Sequence, residues 1–453
     1  MYLKKDGIMA KLFGTDGVRG VANTGLKPEL AFRLGRCGAA ILSRQKSGVR
    51  VVVGRDTRIS GDMLEAALIA GICSVGGEVI KVGVLPTPAV AWLTRELEAD
   101  AGVMISASHN PVEDNGIKFF SHSGHKLPDQ LEEEIEELLN KSEDNLPRPT
   151  GVGLGRVKEL KEISDRYVNY VCSTVNKSLS GMRVVLDCAN GAAYQVAGEI
   201  FLRLGAEVFL LNNTPDGTNI NLKCGSTNPE TLQAEVLAKK AHVGLAFDGD
   251  SDRVIAVDEK GQIVNGDAIM TILALEWHKQ GKLPGDQLVV TVMSNYGLHK
   301  TLKGAGLKVR QTKVGDRYVL EEMLKRGAVL GGEQSGHIIL LDYNTTGDGL
   351  ITGVQLLQVM VNTGKSLSEL ASVMPHLPQL LVNVTVRNKD AAMENPKLLE
   401  AVETVQEKLA GRGRVLVRPS GTEPIIRLML EGPDEEELNS LMEILKKAVV
   451  EGE

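Results

Sequence analysis

A chain of 453 residues exceeds one ordinary domain and leads to an expectation of three or four compact units, each burying its own core. With 43% hydrophobic and 24% charged residues it has the make-up of a globular protein, and a formal net charge of −7 argues against broad binding to nucleic acid or an anionic membrane. The five cysteines (Cys37, Cys73, Cys172, Cys188, Cys224) are odd in number and scattered without a CxxC pair, so they read as reduced structural thiols.

At the N-terminus, MYLKKDGI precedes Met9, and MAKLFGTDG would make a plausible start, so the first eight residues are expected to be dispensable. The sequence shows neither a signal-peptide core nor a run of roughly 18 to 20 apolar residues, and a cytoplasmic protein is expected. In FGTDGVRG, Thr15 and Arg19 could approach a phosphate, or the glycines could simply make turns.

RVVVGRDTRISG from Arg50 is the first of three stretches that run from β-branched residues into a polar loop and then helical patterning; the others are RVVLDCANGAA from Arg183 and DQLVVTVMSNYG from Asp286. Such stretches predict buried parallel strands feeding helices, hence three similar mixed α/β domains. AGVMISASHNPVEDNGIKFF predicts an apolar strand entering a turn at Ser108. There the serine would be exposed to ligand, with His109 and Lys118 as donors to a phosphate, although Ser, Asn and Pro also suit a plain turn. Leu131, Ile135, Leu138 and Leu139 then mark one face of a helix, and KSEDNLPRPTGVGLG reads as a linker closing a first domain at 1–155.

After the apolar run VGLAF comes FDGDSDR, with Asp248, Asp250 and Asp252 at alternate positions. Three carboxylates so close repel one another unless a cation neutralises them, and hard oxygen donors suit Mg²⁺ or Ca²⁺. An EF-hand is excluded because Arg253 stands where that loop needs glycine and a strand precedes it. An aspartyl nucleophile of a phosphatase and a solvated acidic turn stay open on local grounds. A turn at DEKGQ places a second domain at 156–260, and MPHLPQ ends a third at 261–374. Within the third, LGGEQSGH offers Glu333, Ser335 and His337 to sugar hydroxyls or an amino group, or forms an ordinary loop.

The remaining segment, 375–453, changes character. Val382, Val384 and Val386, and likewise Ile426, Leu428 and Leu430, alternate with other residues as in half-buried antiparallel strands. A last helix is expected to take Pro433 into its first turn and to bury Leu438, Leu441, Met442 and Leu445, giving a smaller α+β domain. Its VRPSGTEPIIR segment brings Arg418, Ser420, Gly421, Thr422 and Arg427 together as a phosphate clamp, or as a turn with two solvated arginines.

Taken together and in order, these blocks resemble the α-D-phosphohexomutase family from Phe13 to about Arg427. The resemblance implies four domains around a central cleft, each supplying one loop, with the fourth moving as a lid. It implies a phosphoserine at Ser108, which with Asp248, Asp250 and Asp252 would ligate one Mg²⁺. Arg253 and Lys118 would lie beside the transferring phosphoryl group, Glu333 and Ser335 would read the sugar, and Arg418, Ser420, Gly421, Thr422 and Arg427 would hold the non-reacting phosphate. Lys118 is the expected proton-handling group, with His109 and His337 as rivals. ISASHNP, EDNGIKFF, GGEQSGH and TKVGDRYV resemble the amino-sugar branch, whereas relatives acting on glucose and mannose phosphates usually carry Gly-His where this chain has Gly315 and Asp316. The implied reaction interconverts glucosamine 6-phosphate and 1-phosphate through glucosamine 1,6-bisphosphate, in a possible homodimer, on the route to cell-wall amino-sugar nucleotides. Glucose or mannose phosphates are the alternative substrates; a phosphatase and a non-catalytic phosphosugar binder are more distant ones.

Overall fold

The computed structural model describes residues 12–14, 17–43, 48–160, 162–420 and 423–450. The segment before Met9, Thr15, Gly421 and Thr422 therefore lie outside the described residues. The chain forms two compact units, one running to Val292 and including Arg310–Ala371, the other made of Met293–Val309 and the chain from Ser372 onward.

The larger unit is built on mixed sheets. In the first, strands Val18–Val21, Arg50–Arg55, Glu78–Val84, Ala101–Ile105, Asp114–Ser121 and Val157–Glu159 (β1 to β6) are ordered β1-β5-β4-β2-β3-β6. The β2, β3 and β4 strands run parallel, as expected for β2 from its apolar run, while β5 turns back antiparallel on β4. In the second, Arg183–Asp187, Glu207–Leu211, Val243–Phe247, Val254–Asp258 and Ile263–Val264 (β7 to β11) are ordered β11-β10-β9-β7-β8. The third contains Gln287–Thr291, Lys308–Thr312, Leu330–Gly332 and Ile338–Leu340 (β12 to β15), in the order β13-β12-β14-β15, the chain re-entering the larger unit within β13 at Arg310. Helix Asp129–Asn140 lays Ile135 and Leu139 into the first core, with Leu131 and Leu138 packed at its margin.

Sheet membership runs past two of the expected domain limits. Strand β6 pairs with β3 just beyond residue 155, and DEKGQ is the turn of a β10–β11 hairpin whose return strand reaches Val264. Met293–Val309 belongs with the C-terminal unit because its polar groups are satisfied there. Asn295 Nδ2 donates to the Leu377 carbonyl at 2.9 Å, Arg414 Nη2 donates to the Ser294 carbonyl at 2.6 Å, and Tyr296 N–H donates to buried Glu431 at 3.2 Å.

In the smaller unit Gln379–Thr385, Arg414–Pro419 and Ile425–Glu431 (β16 to β18) form an antiparallel sheet in the order β16-β18-β17. The final helix spans Glu435–Val450 and buries Leu438, Leu441, Met442 and Leu445 as expected. It begins after Pro433, not with it: Asp434 Oδ1 accepts from the N–H groups of Glu436 and Glu437 at 2.9 and 3.1 Å, and that cap fixes the start. No helix among the described residues is long and apolar enough to cross a membrane.

One buried carboxylate knits the larger unit. Asp348 Oδ1 caps helix Gly349–Thr363 by accepting from Leu350 and Ile351 N–H groups at 3.1 and 3.0 Å. Its Oδ2 accepts from Tyr167 OH at 2.7 Å and from Asn344 Nδ2 at 2.9 Å, and that same amide nitrogen donates to the Pro88 carbonyl at 3.1 Å. Asp348→Ala removes a cap and strands two buried donors, so it should lower stability by about 2 to 4 kcal/mol, read as an earlier urea transition.

Candidate active site

Strand β4 is wholly buried and delivers the chain to the turn Ser106–Pro111. Ser108 adopts φ 53°, a left-handed conformation uncommon for serine, and is 1% exposed, so the turn is more enclosed than the sequence suggests. Its hydroxyl donates to Asp248 Oδ2 at 2.6 Å and lies 3.3 Å from His109 Nδ1. Beneath the turn, Ser108 N–H donates to Ser106 Oγ at 2.9 Å, and Ser106 Oγ donates to Asp56 Oδ2 at 2.7 Å. Asp56 pairs with Arg58, Nε to Oδ2 2.9 Å, both fully buried. Arg58 in turn donates to the carbonyls of Ser108, Asn110, Pro111 and Asp114. GRDTRISG thus carries the anchor of the serine turn, a role that the sequence reading missed; the cue was an Asp and an Arg two residues apart directly after a buried apolar run.

Strands β9 and β10 are buried throughout and hold the acidic loop between them. Asp248, Asp250 and Asp252 are all buried, with ligand oxygens within 4.8 Å of one another. Lys118 Nζ, from β5, is 2.8 Å from Asp250 Oδ2 and 3.6 Å from Asp252 Oδ2. Thr87, also missed by the sequence reading, donates its hydroxyl to the same Asp250 Oδ2 at 2.6 Å. Arg253 N–H donates to Asp248 Oδ1 at 3.1 Å, and its guanidinium Nε is 3.8 Å from Asp252. Burial, then Asp252 and Asp250, push the Asp248 carboxyl well above the usual carboxylate range. Burial acts on Asp252 in the same direction but is outweighed by Lys118 and then His337, which hold it well below that range.

This donor set fits a hard divalent cation. Asp250 Oδ1 and Asp252 Oδ1 are buried without a hydrogen-bond partner, and Asp248 points at the Ser108 hydroxyl. At Gly249 a Cβ would lie 2.5 Å from the Ser108 carbonyl oxygen, so only glycine lets the acidic loop close onto the serine turn.

The sugar-recognition candidates lie around the β14–β15 hairpin. Glu333 Oε1 accepts from Gly315 N–H at 3.1 Å, and the Ser335 hydroxyl is buried without a hydrogen-bond partner. His337 is buried between Asp252 (Nδ1 to Oδ1 3.6 Å) and Asp316 (Nε2 to Oδ2 3.7 Å), and Asp316 is 2.5 Å from Lys126 Nζ. Burial opposes its charge, but Asp252, Asp316 and Glu333 outweigh that and raise the imidazole to about 9. His109 goes the other way: burial, then Arg253 and Arg19, lower it. Arg19 sits on β1 opposite Gly116. Ser108, His109, Lys118, Arg253, Arg19 and the three aspartates therefore share one region of the larger unit, with His337 against its edge.

In the smaller unit, Arg418 on β17 faces Arg427 on β18 in direct register, and Asn383 on β16 faces Arg427 from the other side. All three line a cavity of about 170 Å³. Burial and then Arg427 lower the Arg418 guanidinium. Arg427 Nη2 is 3.5 Å from Ser420 Oγ and 3.2 Å from Glu423 Oε2. Like charges directly opposite in a sheet destabilise it, and an oxyanion between them reverses the sign.

Residues 10–146, 165–261 and 265–377 match alpha/beta/alpha domains I, II and III of phosphoglucomutase/phosphomannomutase, and residues 381–448 match its C-terminal domain. The phosphoglucosamine mutase of Moorella thermoacetica is 74% identical over 97% of this chain and 99% of its own, and that of Desulforudis audaxviator is 58% identical over 98% of each. Among solved structures, a phosphoglucomutase/phosphomannomutase family protein from Burkholderia thailandensis superposes with a TM-score of 0.82 at 26% identity, covering 98% of both chains. An Aspergillus fumigatus N-acetylphosphoglucosamine mutase in complex with GlcNAc-6P and magnesium shares the fold, with a TM-score of 0.65 at 18% identity over 99% of this chain and 97% of that one. With four matched domains and near full-length relatives at this identity, the chain belongs to the phosphoglucomutase/phosphomannomutase family of α-D-phosphohexomutases.

Proposed function

We propose that this enzyme interconverts glucosamine 6-phosphate and glucosamine 1-phosphate, with Ser108 as the phosphoryl carrier. The observation that carries the chemistry is the 2.6 Å contact of the Ser108 hydroxyl with Asp248, inside a cluster of three buried carboxylates beside Lys118 and Arg253. The amino-sugar assignment is supported by the 74% identity to a phosphoglucosamine mutase.

Phosphorylated Ser108 gives its phosphoryl group to O1 of glucosamine 6-phosphate: the new O1–P bond forms as the Ser108 Oγ–P bond breaks. The resulting glucosamine 1,6-bisphosphate turns round and returns its 6-phosphoryl group to Ser108, releasing glucosamine 1-phosphate. Asp248, Asp250 and Asp252, with an oxygen of the phosphoserine, would hold Mg²⁺, which when bound neutralises charge on the phosphoryl oxygens. Lys118 and Arg253 face the same charge from the protein side, and Lys118 is the expected proton-handling group, with His109 and His337 as rivals. Glu333 and Ser335 would read the sugar. Arg418, Ser420, Gly421, Thr422 and Arg427 would hold the non-reacting phosphate, and Thr15 and Arg19 could approach a phosphate. Four domains each supplying a loop, a C-terminal lid, a homodimer and a cytoplasmic place in amino-sugar nucleotide synthesis belong to the same proposal.

A coupled assay with Mg²⁺, primed with bisphosphate, should show strong preference for glucosamine 6-phosphate; equal turnover of glucose or mannose phosphate would keep the mechanism and overturn the substrate. Release of inorganic phosphate in place of isomerised sugar would identify a phosphatase. Ser108→Ala should abolish turnover even with added bisphosphate, and retained activity would overturn the carrier role. Asp250→Asn should weaken Mg²⁺ binding by more than the about 10- to 100-fold that loss of an outer-shell partner of a ligand costs, read calorimetrically on the resting protein.

A further inference from the structure

The main-chain carbonyl of Ser108 is held from two directions. Arg58 Nη2 donates to it at 2.9 Å from the first sheet's side, and Asn221 Nδ2 donates to it at 2.8 Å from the loop that follows β8. The same Asn221 amide reaches the Asn110 carbonyl at 3.2 Å, and Arg58 Nη2 donates there as well at 2.8 Å. Since its partners are carbonyls, the Asn221 side chain acts through its NH₂ group. The glycine of the acidic loop closes the same spot, because a Cβ on Gly249 would stand 2.9 Å from Asn221 Nδ2. The turn carrying Arg58 is keyed to the second sheet's loops too: Thr57 Oγ1 donates to the Asn190 carbonyl at 2.6 Å and Ile59 N–H donates to the Gly217 carbonyl at 2.8 Å.

Neither Asn221 nor Arg58 contacts the Ser108 hydroxyl; both act on the backbone that aims it. A serine at φ 53° keeps that conformation only where its surroundings over-determine it, and phosphoryl transfer demands in-line alignment to within a fraction of an ångström. We propose that Asn221, with Arg58, is a positioning residue for the phosphoryl carrier: the two donors fix the Ser108 carbonyl so that its side-chain oxygen stays aligned on the acidic cluster. This inference rests on the reading of Ser108 as the carrier.

Asn221 itself has φ 58°, so the test uses residues that tolerate that backbone. Asn221→Gly removes the amide, and Asn221→Asp replaces the donor by a carboxylate facing two carbonyls. On the full-length enzyme, Asn221→Gly should lower kcat about three- to tenfold with KM for the sugar phosphate unchanged. Asn221→Asp should be impaired at least as much. By intact-mass spectrometry after treatment with glucose 1,6-bisphosphate, both variants should still form the phosphoenzyme but lose it to water faster than the unaltered protein. Arg58→Lys should show the same pattern more strongly; if it fails to fold, the Asn221 variants decide. Unchanged kcat and phosphoenzyme lifetime in both Asn221 variants would overturn the inference, as would a rise in KM at constant kcat. Failure of the unaltered protein to take a phosphoryl group on Ser108 would instead remove the carrier reading, and this inference with it.

Discussion

The structure turns on the burial of three like charges in one place. Charged carboxylate oxygens within 4.8 Å of one another repel by at least roughly 3.5 kcal/mol per pair at an effective dielectric of about 20, before the cost of leaving water is counted. Lys118, Arg253 and His337 stand around the cluster and offset part of that repulsion, and the two oxygens without a hydrogen bond, on Asp250 and Asp252, mark where a cation would offset the rest. The compensating groups come from separate stretches of chain: Lys118 from β5, Arg253 from the loop entering β10, and His337 from the turn before β15. The loops must meet for any of them to be tolerable, and the sheets exist to bring them together.

What makes that meeting durable is backbone anchoring. Buried apolar strands fix where each loop starts, but the loops carry main-chain groups that water cannot reach. Arg58 satisfies carbonyls along the serine turn, Asp348 satisfies the start of its helix, and Gly349 N–H donates to the Ser251 carbonyl at 3.0 Å, tying that helix to the acidic loop. The polar interior is therefore as much part of the fold as the aliphatic core.

Legibility in the sequence follows the range of each interaction. The Ser108 turn and the two arginines stood out only through the family resemblance, whereas the acidic run was visible because neighbours in sequence create the electrostatic problem themselves. The β-branched runs and the alternation in β16 and β18 were visible for the same reason, since strand periodicity is local. Thr87 and Asn221 were not, because their partners lie far along the chain: Thr87 meets Asp250, and Asn221 meets Ser108. The Asp56–Arg58 pair is local, but its use as an anchor is not, since the carbonyls that Arg58 holds lie some fifty residues on. The membership of Met293–Val309 in the C-terminal unit was hidden similarly, resting on Asn295 and Ser294 contacts with residues past 370. The enclosure of Ser108 was also invisible, as polar turns usually face water.

If, as proposed, the facing arginines of the smaller unit hold the substrate's phosphate, their pairing bears on the direction of the reaction. Guanidiniums set opposite one another across β17 and β18 respond to the charge and shape of a phosphate, and nothing in that pairing senses which carbon of a hexose bears it. Such a grip is blind to orientation. In that proposed role a sugar carrying phosphate at either end would satisfy it equally, so the same strands could serve substrate, product and a bisphosphate turned either way, and discrimination between hexoses would have to be made elsewhere.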